Sequence, residues 1–324
     1  MSAETPIHRF AWPFDGPSYR YFTNVEHAGV AATTAAGSWG EGVFHVDQTY
    51  ADVVAERRTI LARDPRRVGS LPHMAAAEWD AAAWILERFA SENPDIATTD
   101  LTDPERLRFC NTVTGTKLDL AYGDPEVAPL TTAAAEVVED LFLLDTRDGA
   151  LRLESFAATF TGSWSSSFSL GMTFTDLHGP VPRVHGTGMV ARTERFIRAL
   201  SPGDVVRRLN WSMYETGELD ASLESAHGRA PRAELQTRLC AEPGALRMRI
   251  EIQHLTALPR TGAILFLITT QLAPLSQLAA VPQWRAQLLS VLAELPEDLA
   301  AYKNFADLRT PILEWLVSIE SASA

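Results

Sequence analysis

The residues best suited to chemistry in this 324-residue chain stand in the run Phe168-Ser169-Leu170-Gly171-Met172-Thr173-Phe174-Thr175-Asp176-Leu177-His178-Gly179-Pro180-Val181-Pro182-Arg183-Val184-His185. His178 lies between an apolar stretch and a segment whose φ angles are fixed by Pro180 and Pro182. An imidazole held in one orientation suits a metal or a haem iron, because a wandering ligand loses affinity to entropy. On residue types alone, a His before Gly-Pro also serves as a turn cap, and both readings stand at this point. His185 could pair with it, but no third ligand follows at metal spacing, which argues against a closed zinc site. His8, His27, His45, His73, His227 and His254 are scattered and read as surface or packing residues. Ser163, beside Trp164 and ahead of Ser165, Ser166 and Ser167, invites a nucleophile, yet no base is positioned with it and a turn or strand edge is the simpler account.

A second cluster, Arg207-Arg208-Leu209-Asn210-Trp211-Ser212, puts guanidinium and amide groups in a segment with strand character. Buried Arg and Asn must be paired, so a carboxylate or a polar ligand is expected nearby. Residues 246–255 alternate, with Arg247, Arg249, Glu251 and Gln253 on one side and Met248, Ile250 and Ile252 on the other. The polar row either faces that cluster across a sheet or is a solvated face, and alternation alone favours solvent.

These groups need elements to hold them. Residues 1–45, rich in aromatics and glycine without sustained periodicity, read as an arm, and 46–324 as one domain. Helical periodicity begins at Asp47, with Tyr50, Val53, Val54, Ile60 and Leu61 inward and Glu56, Arg57, Arg58 and Arg63 outward. Further helices are expected over 74–89 and over 131–144, the latter carrying Ala135, Val138, Leu141 and Phe142 inward. The period then shifts to two over 151–160. A short helix over 193–200 precedes strands over 205–214, 246–255 and 263–271, and helices over 284–295 and 296–319 close the chain. A helical layer on an antiparallel sheet, an α+β fold, follows.

Composition narrows the function. A formal net charge of −13 repels phosphate backbones and anionic lipid, so nucleic acid and membrane are not expected partners, whereas a small cation is welcome. The two cysteines, Cys110 and Cys240, form no CxxC or CxxCH pattern and cannot ligate an iron–sulfur cluster or attach a haem covalently. Without a basic and apolar leader or a long apolar window, the protein is expected to be soluble and cytoplasmic. No GxxxxGK[ST], GxGxxG, HExxH or GxSxG motif is present.

Taken in order, several stretches resemble one family, the haem-binding α subunit of the haem-dependent oxidative N-demethylases. They are Val46-Asp47 through Tyr50, Glu56-Arg57-Arg58, Asn111-Thr112-Val113-Thr114-Gly115, and Val138-Glu139-Asp140-Leu141. The set continues through Trp164 and Leu170-Gly171 to Leu177-His178-Gly179-Pro180-Val181-Pro182, then Arg208-Leu209-Asn210-Trp211. Arg249, Glu251, Gln253, Leu258-Pro259, Thr261-Gly262-Ala263-Ile264-Leu265-Phe266 and Ala301-Tyr302-Lys303 complete it. The resemblance spans most of the chain, and its most specific part is His-x-Pro-Val-Pro followed some thirty residues later by Arg-x-Asn-Trp.

Membership implies a PAS-like antiparallel sheet with helical additions, a non-covalent haem b, dioxygen as co-substrate, and removal of a methyl group from a small amine. It also implies an external NAD(P)H-dependent reductase carrying FMN and a [2Fe–2S] centre. Within that resemblance His178 is the axial ligand and metal-binding residue, and His185, Arg192, Arg208 and Trp211 belong to the cofactor set. Asn210, Tyr214, Glu251 and Gln253 form the oxygen and amine pocket. The family's Glu-Arg-Gln is here Glu251-Ile252-Gln253, which points to an amine other than dimethylamine. The rival from another class is a non-catalytic haem-binding PAS gas sensor, and a third reading is a haem-free structural relative.

Overall fold

The structure is a computed structural model that describes residues 4–20, 24–147, 149–225 and 232–321. Among these residues seven strands form one sheet: β1 (Glu26–His27), β2 (Val68–Ser70), β3 (Asp140–Arg147), β4 (Ala150–Ala157), β5 (Val205–Tyr214), β6 (Arg247–Ala257) and β7 (Ile264–Pro274). Their order is β1-β5-β6-β7-β3-β4-β2, and each neighbouring pair is antiparallel. The α+β architecture is therefore as expected.

Local chemistry sets the hairpins. Between β6 and β7 the chain reverses through Gly262, whose φ of 72° lies in the left-handed region that a side chain disfavours. Buried Asp80, from the helix Ala75–Glu92, accepts the backbone N–H groups of Arg260 (2.9 Å) and Thr261 (2.8 Å) and so clamps that turn. Between β3 and β4 the register shifts at Leu143/Leu144, a bulge that leaves Glu154 unopposed.

The two faces of the sheet differ in their covering. Leu141, Leu143, Leu265 and Leu267 share a core with Val53, Val54 and Ile60 of the helix Tyr50–Arg63 and with Ile85 and Leu86 of Ala75–Glu92. On the same face Trp211, Met213 and Ile250 pack with Leu288 and Leu292 of Pro282–Glu294, with Leu316 of Arg309–Ser321, and with Phe10. The opposite face is covered by the connection between β4 and β5, which holds the short helices Ser166–Ser169 and Phe174–Leu177 and the helix Met189–Arg198.

Several expectations fail for identifiable reasons. The helix expected over 131–144 is confined to Pro129–Ala134, and Asp140–Arg147 is a central strand. Leu141, Phe142, Leu143 and Leu144 are all buried because the strand is covered on both faces, so the run shows no period of two. Arg57, assigned to the solvent side of its helix, is fully buried. It pairs with Asp140 at 3.0 Å, donates to the Val138 carbonyl and lies over the Phe160 ring. The N-terminal half also holds a three-stranded sheet of Ala97–Asp100, Arg106–Asn111 and Thr116–Ala121 that periodicity did not indicate. The helix expected over 296–319 is broken into Glu297–Tyr302 and Arg309–Ser321. Among the described residues no helix is long and apolar enough to cross a membrane.

Candidate functional site

His178 is positioned by three successive local devices. Gly171, with φ of 85°, turns the chain so that its N–H reaches the Leu153 carbonyl (2.7 Å) while Leu153 donates to Met172 (3.0 Å), tying the segment to β4. Thr173 and Asp176 then form a reciprocal capping box that starts the helix Phe174–Leu177. His178 ends that helix, with its ring against Phe174 and its Nδ1–H donating to the Phe174 carbonyl at 2.7 Å. A carbonyl only accepts, so the proton sits on Nδ1 and the Nε2 lone pair is left without a protein partner among the described residues. Burial lowers the pKa of this imidazole, opposed by the bond to Phe174 and aided by Arg208 and His185, so the neutral, ligating form is favoured.

The cross-strand register places the polar groups of β5 and β6 on one face. Arg208 stands opposite Gln253 and Asn210 opposite Glu251, and the same rows continue into Ile268 and Thr270 of β7. The alternation over β6 is as expected, but the face is not solvated. Arg249 is fully buried, enclosed by the Phe160 and Leu219 carbonyls from two different connections, and Gln253 is 9% exposed. Glu251 accepts from Gln253 (3.0 Å) and Asn210 (3.3 Å), and its other oxygen lies 3.6 Å from Arg249 Nε. Arg249 is also held by the Leu219 carbonyl, the Phe160 carbonyl and Thr270. Tyr214 donates or accepts with Ser163 Oγ at 3.0 Å and lies under the Arg249 guanidinium, and burial raises its pKa. Gly162 lets these groups meet, since a Cβ there would come 2.6 Å from Tyr214 Oη.

Beside this polar floor is an apolar wall. Trp164, Leu170, Leu177, Phe266 and Ile268 pack on Phe142, Leu153 and Phe156 yet remain only half-buried, so apolar surface is left open on the face that carries Arg208 and Glu251. Large half-buried apolar side chains next to convergent polar groups mark a ligand site.

Not every expected residue joins the cluster. Trp211 alternates to the opposite face, where it packs against Phe14 and Phe305. His185 is exposed, and its Nε2 donates to the Gly179 carbonyl at 3.0 Å, bracing the proline loop. Arg192 is exposed and donates to the Thr187 carbonyl. The loop is further tied by Arg183 to Asp298 at 2.7 Å.

One buried cation escaped the reading of residue types. Lys303 is buried at 7% exposure, donates to the Trp211 carbonyl at 2.7 Å and stands over the Trp211 ring. Burial, then Arg208, pushes its ammonium down to about 7, with Glu251 opposing. It lies just past a short helix, where no periodicity marks a buried cation. Only its place in the Ala301-Tyr302-Lys303 motif singled it out.

A family model described as haem-dependent oxidative N-demethylase, alpha subunit-like, matches residues 35–313. The chain belongs to this family. The family's name carries haem dependence, oxidative N-demethylation and an α-subunit role, which implies a partner subunit. The residues present fit a haem. His178 offers a fixed, neutral Nε2, the adjoining wall is apolar and half-open, and Arg208 supplies a cation on the same face.

Proposed function

We propose that this protein is the haem-bearing subunit of an enzyme that removes a methyl group oxidatively from a small amine. The observation that carries the proposal is the His178 imidazole, its Nδ1–H committed to the Phe174 carbonyl and its Nε2 left for a ligand. Haem b, when bound, supplies dioxygen binding and electron transfer. His178 holds the iron, Arg208 holds a propionate through charge-assisted bonds, and the half-buried Trp164, Leu170, Phe266 and Ile268 hold the macrocycle.

The chain's own groups then account for the amine. A protonated amine entering this pocket loses hydration, which a carboxylate partner offsets. Glu251 is that partner, kept in one rotamer by Asn210, Gln253 and Arg249. Tyr214, bonded to Ser163 and lying under the Arg249 guanidinium that flanks Glu251, is the proton-bearing group on the same face. The strand order also supports a PAS-like fold for a single domain over 46–324. Of the five long strands the order is third, fourth, fifth, first, second, with the short helices inserted between the second and third. Electrons come from a separate reductase, since two cysteines, Cys110 and Cys240, cannot hold a [2Fe–2S] cluster.

The test is the absorption spectrum of the purified full chain, its His178→Ala variant, and amine-dependent oxygen consumption with an artificial reductant. A Soret band that His178→Ala loses while the circular dichroism is unchanged is the expected result. Full haem load in His178→Ala would overturn the ligand assignment. Haem binding with no amine-dependent turnover would favour the gas sensor instead.

A further inference from the structure

The helix-covered face of the sheet carries a second opening that the amine chemistry does not use. A cleft of about 790 Å³ has Ile252, His254, Thr269 and Gln271 as its floor and the 37–46 segment as one wall. His254 follows Gln253 on β6 and so points to the opposite side of the sheet from Glu251. Its imidazole is 2% exposed, and neither ring nitrogen has a hydrogen-bond partner among the described residues. Buried polar groups are ordinarily paired, so an unpaired imidazole lining a roomy cleft points to a ligand that completes it.

The neighbouring groups are already committed. Gln271 accepts from the Ala11 N–H at 2.8 Å and donates to the Arg9 carbonyl. Thr269 donates to Glu139, and the Glu92 carboxylate is taken by Arg88 and by the N–H groups of Val43 and Phe44. Arg207, opposite His254 in the register, is bound by Glu26 and by the Gly40 and Val30 carbonyls. Burial, and after it the charges of Arg207 and Arg88, pushes the His254 imidazole down to about 3, so it stays neutral. Arg9 and His8 line the cleft without a side-chain partner among the described residues, and two carboxylates line it as well, the exposed Glu41 and the already committed Glu92. Apolar contact is offered by Ile252, Val43 and Phe44.

We propose that this cleft binds a small organic carboxylate, its oxygens on His254 and its hydrocarbon body against Ile252, Val43 and Phe44. The site lies on the other side of the sheet from His178 and stands whether or not haem binds there.

Benzoate, its neutral analogue benzamide and the cation benzylamine are the probes, titrated calorimetrically into the haem-loaded full chain while the haem spectrum is recorded. Saturable benzoate binding is expected, with benzamide and benzylamine weaker by about tenfold or more and the Soret band unmoved. His254→Gln should weaken benzoate about tenfold, and Arg9→Ala, on the surface and safe for folding, severalfold. His178→Ala should bind benzoate as the wild type does, which separates this site from the haem reading. No benzoate binding up to roughly 20 mM, equal binding of benzamide, or full retention in both His254→Gln and Arg9→Ala would overturn the proposal.

Discussion

Replacing Glu251 with Gln removes one charge from the floor of the proposed amine pocket while keeping its shape. In the native protein its carboxylate lies 3.6 Å from Arg249 Nε, with side chains 15% and 1% exposed. At an effective dielectric constant of about 20, a pair at that spacing attracts by about 5 kcal/mol. Little of this appears as lost stability, because Arg249 keeps the Leu219 and Phe160 carbonyls and Thr270, and the new amide oxygen still accepts from Asn210 or Gln253. A net loss of about 2 kcal/mol remains. Unfolding entropy of about 2.1 cal/mol/K per residue converts that into a fall of about 3 °C in Tm. An ammonium ion loses more, since the carboxylate is its principal offset against dehydration, and its affinity should fall about 30- to 100-fold. The assay is titration of haem-loaded protein with secondary and tertiary amines, dimethylamine and larger, followed in the Soret band. Haem content should be unchanged in Glu251→Gln. An amine half-saturation equal to the wild type would refute the reasoning and leave this carboxylate as part of a structural network only.

Other outcomes follow from the same geometry. Thr173→Val breaks the capping box beneath His178 at a cost of about 1 kcal/mol, and the loosened helix should release haem about fivefold faster in a transfer assay to apomyoglobin. In Gly162→Ala a Cβ would come 2.6 Å from Tyr214 Oη and 3.0 Å from Arg249 Nε, so Tm should drop by about 2–4 °C, read by calorimetry. Lys303 has a folded-state pKa depressed to about 7 from the ordinary 10.5, so the unfolded chain holds the extra proton between those values. Stability measured against Lys303→Met should therefore rise with pH from about 7 toward 10.5 and stay flat below 7, and a flat difference throughout would show the ammonium retained.

The alternation of β6 was legible, yet whether its polar row met water or protein was not. Arg249 is buried against the Phe160 and Leu219 carbonyls, far away in sequence, and no local period reports what folds over a strand. The same limit hid β3, whose apolar run is covered on both faces, and reversed Arg57, whose partner Asp140 lies over eighty residues on. Trp211 is adjacent to Asn210 in sequence, but the pleat sends it to the opposite face to hold Lys303. His185 and Arg192 lie in the right segment, yet each spends its hydrogen bond on the adjacent backbone.

What this sequence determined by itself is local and chemical. The strands β5, β6 and β7, the turn between the last two, and the rigid setting of His178 come from alternation, from Gly262 and from Gly171 with the Thr173–Asp176 capping box, each acting within a few residues. The ordered set of short motifs carried the family as well, because such a set specifies an arrangement more narrowly than any one piece. Tertiary structure alone decided which side of the sheet each polar group meets. It gathered Asn210, Glu251, Gln253, Arg249 and Tyr214 into one network, brought Arg208 within electrostatic reach of His178 and Lys303, and left His254 unpaired on the far face. The reason is physical. Side-chain direction alternates along a strand and can be read in one dimension, whereas desolvation and pairing depend on which distant segment covers each face.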